Sequence, residues 1–212
     1  MKRTFTRALI GIAALAAVAV TTTACSSSSK KDSKAPVADI KNLTGQMTQV
    51  TLDSGFTGAL TTLKLTPGVT GTAKLTDGTL SFPITGGHVT YYTPGTVSPF
   101  VQGDIQHQGS GISLTAGSTK VELTNFDIDP GASKLYGDVS VNGTQAASHA
   151  YLFYLDGTTL KSLQTVGNTA ILEGTKVEIS PDAAGLLNKT FNTSAVMPNL
   201  LVGIAKITVN TK

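Results

Sequence analysis

Apolar and polar residues alternate through most of this chain in short runs, each closed by Gly, Asn, Asp or Pro. A period of two is the mark of a strand with one buried face. The first such run, 47–52 (Met-Thr-Gln-Val-Thr-Leu), predicts a strand. Asp53 and Ser54 then supply helix-capping side chains, and Phe56, Leu60 and Leu63 follow at i, i+4 and i+7. That spacing predicts a short helix over about 54–64, stopped by Thr66-Pro67-Gly68. Strand runs follow at 72–75 and 79–84 around Asp77-Gly78, a strong hairpin signal. Gly86-Gly87 separates 82–84 from 88–92, which predicts another hairpin. Further runs fall at 100–107, 111–115 and 120–128, and Asp129-Pro130-Gly131 reads as a turn. The clearest strands are 135–141 and 150–155, closed by Asn142-Gly143 and Asp156-Gly157.

Near the end the opening pattern returns. A strand at 177–180 runs into Ser180, a capping residue, and Pro181, which suits a first helical turn. A second short helix is predicted over about 181–190, and a last strand over 200–209. Val50/Val177, Leu52/Ile179, Gly58/Gly185 and Leu60/Leu187 share one offset. Duplication of a strand–helix unit and coincidence among small apolar residues both account for these matches. Regularly spaced strands with turn signals between them predict a mainly β fold, an antiparallel β-sandwich or barrel-like domain with two short helices.

The N-terminal stretch breaks the pattern. Lys2, Arg3 and Arg7 precede an uninterrupted small-apolar run over 8–20, and Thr22-Thr23-Ala24 leads to Cys25, the single cysteine. Positive start, apolar core and small residues before a cut form an export signal. The apolar run is shorter than the roughly 18–20 residues a spanning helix needs. Thr22-Thr23-Ala24-Cys25 resembles the lipobox of bacterial lipoproteins, although Thr22 stands where that family usually has Leu. The resemblance implies cleavage before Cys25, a diacylglycerol on its sulfur and a membrane as partner. Two acyl chains anchor a protein stably where one is marginal. The Ser- and Lys-rich run that follows has the composition of a flexible tether. The expected organisation is a signal peptide at 1–24, a lipidated cysteine and tether at 25–45, and one β-rich extracytoplasmic domain at 46–212.

Charge narrows the function classes. The chain has 16 Lys+Arg and 13 Asp+Glu; removing Lys2, Arg3 and Arg7 with the signal leaves 13 basic against 13 acidic residues and no arginine. A nucleic-acid binder needs a basic footprint, so that class is set aside. There is no G-x-S-x-G elbow, HExxH or P-loop, and Gly109-Ser110-Gly111 reads as a turn. His88, His107 and His149 are too widely spaced to diagnose a zinc site, and surface or turn positions are expected for them. Asn125, Asp127 and Asp129 lack the order of a calcium loop and read as a strand edge with a turn. Tyr91 and Tyr92, adjacent on a strand, are expected on opposite faces, one lining a pocket and the other packing or at a rim.

His107-Gln-Gly109, Ile112-Ser-Leu114, Val121-Glu-Leu123, Phe126 and Lys134-Leu-Tyr-Gly-Asp-Val-Ser140 together resemble the H-x-G…L-Y-x-D-V pattern of HtaA-type domains. The likeness covers roughly 82–141. It implies an exported β-rich fold, and several members of that family bind haem through a tyrosine near the domain start that a histidine supports. His107 falls on the histidine position, while 53–63 carries no tyrosine, so no iron ligand transfers to this chain. The functional expectation is a membrane-anchored, non-catalytic module that binds a small molecule, with haem as a candidate and Tyr91, Tyr92 and His107 as candidate binding residues. No metal site is expected. A structural or adhesive surface protein is the alternative, and a secreted hydrolase a distant third.

Overall fold

A computed structural model describes residues 34–212. The expected signal segment 1–24, Cys25 and the first part of the tether lie outside the described residues. Among the described residues thirteen strands join in one sheet, with every pairing antiparallel. They are β1 (Ala38–Ile40), β2 (Gln46–Leu52), β3 (Thr66–Gly71), β4 (Lys74–Thr76), β5 (Thr79–Pro83), β6 (Gly86–Tyr91), β7 (Val101–Ala116), β8 (Thr119–Asp129), β9 (Lys134–Val141), β10 (Thr144–Asp156), β11 (Gln164–Val166), β12 (Thr169–Ile179) and β13 (Leu201–Asn210). The hydrogen-bonded order is β1-β6-β7-β8-β9-β10-β12-β13-β2-β5-β4, with β11 beside β12 and β3 beside β7. Of the two expected architectures, the barrel-like one is present. It is a curled antiparallel sheet with two helices, α1 (Ser54–Thr62) and α2 (Pro181–Phe191), close to the expected positions.

Three expectations change. The hairpin across Gly86-Gly87 does not form, because β5 and β6 sit near opposite ends of the strand path. In the link between them, Ile84 N–H donates to Gln46 O on β2 while Thr85 N–H donates to Gln106 O on β7. The two residues thus bridge two different strands. Gly87 lies inside β6 at φ +112°, and a Cβ there would stand 2.2 Å from Asp104 O. The glycine therefore serves close strand approach, not a turn. Next, the runs at 100–107 and 111–115 form one long strand, β7, broken by a bulge between His107 and Gly111. Before the bulge β7 pairs with β6, and after it with β3. The chain after Pro67, expected only to end α1, therefore contributes a strand. Finally, the structured part begins before residue 46: Ala38–Ile40 pairs with Val89–Tyr91, and Leu43 is buried.

The two similar strand–helix units flank the same partner. β2 and β12 both pair with β13, and each runs directly into a capped helix. Asp53 accepts from the Gly55 and Phe56 amides at the start of α1. Ser180, wholly buried, caps α2 by accepting from Ala183 N at 3.0 Å, and its hydroxyl donates to Tyr151 O at 2.7 Å. Helix and sheet are joined through one side chain. Val50 and Val177, equivalent in the two units, point into the curl.

Replacing Ser180 with Ala removes the cap and takes a donor from the part-buried Tyr151 carbonyl. We expect Ser180→Ala to cost about 1–2 kcal/mol, read as a lower urea midpoint at unchanged slope.

A candidate ligand cavity inside the curled sheet

The concave face of the sheet encloses a cavity of about 470 Å³. Its walls come from alternate, inward-facing residues of the strands that curl around it: Val89 and Tyr91 on β6, Ile105 on β7, Ile128 on β8, Leu135 on β9, Leu155 on β10, Val177 on β12, and Ala205, Ile207 and Val209 on β13. A period-two strand sends every second side chain inward, so apolar runs on many strands converge on one lumen. One end is framed by connections that leave neighbouring strands on the same side. These are the Ser98-Pro99-Phe100 segment before β7, Pro130 and Ser133 between β8 and β9, and Asp156 to Thr158 at the end of β10. At the other end Thr48 and Val50 border both this cavity and a second void of about 40 Å³.

Tyr91 and Tyr92 part as strand alternation requires. Tyr91 is buried and lines the cavity, with the Phe100 ring edge-on at 5.9 Å between centroids. Tyr92 is half-buried and does not line it; its N–H donates to Phe100 O. His107 corrects the expectation of a surface or turn histidine. It is 1% exposed and borders the small void beyond Thr48, away from Tyr91. The bulge that follows it is pinned by Ser110, whose hydroxyl donates to His107 O. Its Nε2 lies 2.8 Å from Thr48 Oγ1, the Phe82 ring stands edge-on to it at 6.3 Å, and Nδ1 has no hydrogen-bond partner among the described residues. Burial therefore pushes its pKa down to about 4, with the backbone of Phe126 and Ile105 offsetting part of the effect. The other two histidines are exposed: His88 pairs with Asp104 at 2.5 Å, and His149 stacks on Tyr136. Folding does not bring His88 and His107 together.

Two contributors to the site were missed by sequence reasoning. Thr48 reads as an outward polar residue of a strand, yet it is 4% exposed because it pairs with His107. Asp156 reads as part of an ordinary turn, yet it stands at the cavity mouth. It accepts from the Thr158 hydroxyl at 2.5 Å and the Thr158 amide at 2.9 Å, which hold its carboxyl below the usual range, with Lys176 at 3.6 Å adding to this. The Asp156-Gly157 turn signal was the one visible hint. Asn125 and Asp129 serve the backbone: Asn125 accepts from Gly109 N and Asp129 from Ala132 N. No cluster of three or more His, Cys, Asp or Glu suited to a metal ion occurs among the described residues.

Neither a protein-family model nor a curated protein sequence matches this chain. Among solved structures it is similar to the C-terminal domain of HtaA from Corynebacterium glutamicum, at 13% identity and a TM-score of 0.55, covering 81% of this chain and 98% of that one. A domain-swapped dimer of a histidine-to-alanine variant of that domain gives 14% identity and a TM-score of 0.49, covering 74% and 87%. The N-terminal domain of HtaA gives 11% and 0.43, covering 82% and 98%. The first of these establishes the class: the chain has the fold of an HtaA domain.

The buried histidine makes stability depend on pH. Its folded pKa lies below the ordinary value of 6.5, so between pH 6.5 and 4 the unfolded chain takes up a proton that the folded chain refuses. His107's contribution is complete above pH 6.5 and falls as the solution is acidified through that window, by about 3 kcal/mol at most. Urea unfolding of the parent and of His107→Gln at pH 7 and pH 4.5 should show the parent losing more stability, and equal losses would contradict the assignment.

Proposed function

We propose that this chain is a non-catalytic binding module, held at the outer face of a cell membrane through Cys25, that takes a small apolar molecule into the lumen of its curled sheet. The observation that carries the proposal is the cavity. Its volume falls within the range of small-molecule sites, and its wall is aliphatic with a few polar groups at one end, the usual make-up of such a site. The fold shared with an HtaA domain agrees with a binding role, and the export signal and lipobox-like Cys25 support the location. Tyr91 is the member of the original candidate set that faces the ligand. His107 acts at one remove, by fixing Thr48 at the cavity floor, and Tyr92 belongs to the rim packing.

Haem held by a histidine-supported tyrosine does not fit the residues present. The side chain that His107 supports is Thr48, a weak iron donor, and among the described residues no lysine lines the cavity to meet the carboxylates of the porphyrin. On adding haemin, the absorption spectrum is expected to show no Soret band that depends on Tyr91, as tested with Tyr91→Phe.

The full chain should bind the uncharged fluorophore N-phenyl-1-naphthylamine at one saturable site. Ala205, buried on β13 in the cavity wall, can be enlarged to fill the lumen. Ala205→Phe is expected to weaken binding by about tenfold or more while the circular dichroism spectrum is retained. Uptake that is absent in the parent, or unaltered in the folded variant, would overturn the reading.

A further inference from the structure

Resting on the binding and anchoring readings above, we propose that the open end of the cavity is held against the bilayer and that the lumen takes its apolar ligand directly from the lipid leaflet, without passage through water. The polypeptide enters the domain at that end. Val37 N–H donates to Tyr91 O at 2.8 Å, and Ala38 stands opposite Tyr91 and lines the lumen. The Tyr92 N–H to Phe100 O bond ties the same corner to the Ser98-Pro99-Phe100 segment that frames the cavity. β1 then runs away from this corner, since Ile40 pairs with Val89, earlier along β6. An anchor upstream of Val37 therefore holds the domain by the rim of its cavity.

Chain length limits the other orientations. Cys25 and Val37 are twelve residues apart, at most about 40 Å of polypeptide. The opposite end of the sheet is the turn at Asn142-Gly143 between β9 and β10. β9 leaves the cavity end at Lys134 and reaches Val141 after eight residues, a strand about 26 Å long. With that turn on the membrane, the run from Cys25 would have to stretch back along most of the domain to meet Val37. With the cavity end on the membrane, no such extension is asked of it.

Surface chemistry at this end suits lipid. Val37 is 60% exposed where the chain enters. β12 meets the last residue of β10 at Lys176, so its earlier residues and the paired β11 extend past the end of β10 on the cavity side. Val166, at the end of β11, is 64% exposed. Met197, the other strongly exposed large apolar side chain among the described residues, belongs to the loop before β13. The run from Cys25 to Val37 carries Lys30, Lys31 and Lys34 against Asp32 alone, a balance that favours an anionic headgroup layer. An aliphatic wall and a lipid leaflet are similar solvents, so a molecule crosses between them at little cost. Each methylene that passes through water instead lowers the concentration available to bind about fourfold.

The test couples the chain from Cys25 onward, through a disulfide, to a thiol-reactive lipid in phosphatidylcholine–phosphatidylglycerol vesicles that contain deuterated hexadecanol, a probe almost insoluble in water. Reduction releases the protein at set times, and native mass spectrometry reads the loaded fraction. A second chain, Cys25→Ser with Thr144→Cys, is held instead by the exposed start of β10 beside the far turn. The chain held at Cys25 should load about tenfold faster than the chain held at position 144, with equal N-phenyl-1-naphthylamine binding in solution. Val37→Glu combined with Val166→Glu should slow loading from these anionic vesicles about threefold or more and leave solution binding unchanged. Equal loading in the two orientations would overturn the membrane-facing cavity, as would a chain held at Cys25 that binds the fluorophore but never gains the deuterated probe. In both cases the general binding reading survives; a chain that binds no fluorophore fails both. Should Thr144→Cys not fold, the paired valine variant, altered only at exposed sites, decides alone, and unchanged loading would overturn the proposal.

Discussion

Two residues between β5 and β6 govern the shape of this molecule. Eight strand-to-strand steps separate β6 from β5 along the hydrogen-bonded path. In a flat sheet that would be roughly 38 Å, at ~4.8 Å a step. Ile84 and Thr85 span about 10 Å at most. The sheet cannot be flat; it must curl until β5 comes beside β6 and β7. The contacts across the seam show the closure: Thr85 N–H donates to Gln106 O, Phe82 packs edge-on against Phe126 at 5.3 Å, and Thr48 meets His107. Right-handed twist and the bulge in β7 supply the curvature that the link demands.

Curling has two consequences. It hides most of the sheet's edges, leaving β1 and β4, each of three residues, as the ends of the strand path, too short to template pairing with another chain. It also gathers one face of nearly every strand around a common axis. That face is filled at the Phe82, Phe126 and Phe153 end, where aromatic rings pack edge to face. It is left open toward the Ser98 and Asp156 end, and small residues such as Ala170 and Ala205 line the wall of the open part. Cavity and core are the same surface, distinguished by side-chain volume.

The His107–Thr48 pair stands at the boundary between these two regions. A buried neutral imidazole bonded to one hydroxyl is a costly thing to place in an apolar interior, tolerable because the bond ties β7 to β2 across the seam. The side chain that His107 supports, Thr48, sets the polarity of this boundary. With a threonine there, the boundary presents one engaged hydroxyl between aliphatic walls.

What the sequence by itself determined is local. Alternation gave the strands, Asp53 and Ser180 the helix starts, and Asp77-Gly78, Asn142-Gly143 and Asp156-Gly157 the turns, because each rests on interactions within a few residues. The opposite facing of Tyr91 and Tyr92 follows from the same short-range geometry. Strand order was not legible, since it depends on which distant edges meet. Gly86-Gly87 therefore looked like a hairpin when it serves a close strand approach, and His107 looked like a surface residue when it is sealed in the core. Only tertiary structure decided that Thr48 lies against His107 and that Asp156 reaches the mouth of a lumen. A cavity is a property of many strands closing on one another, and no single stretch of chain contains it.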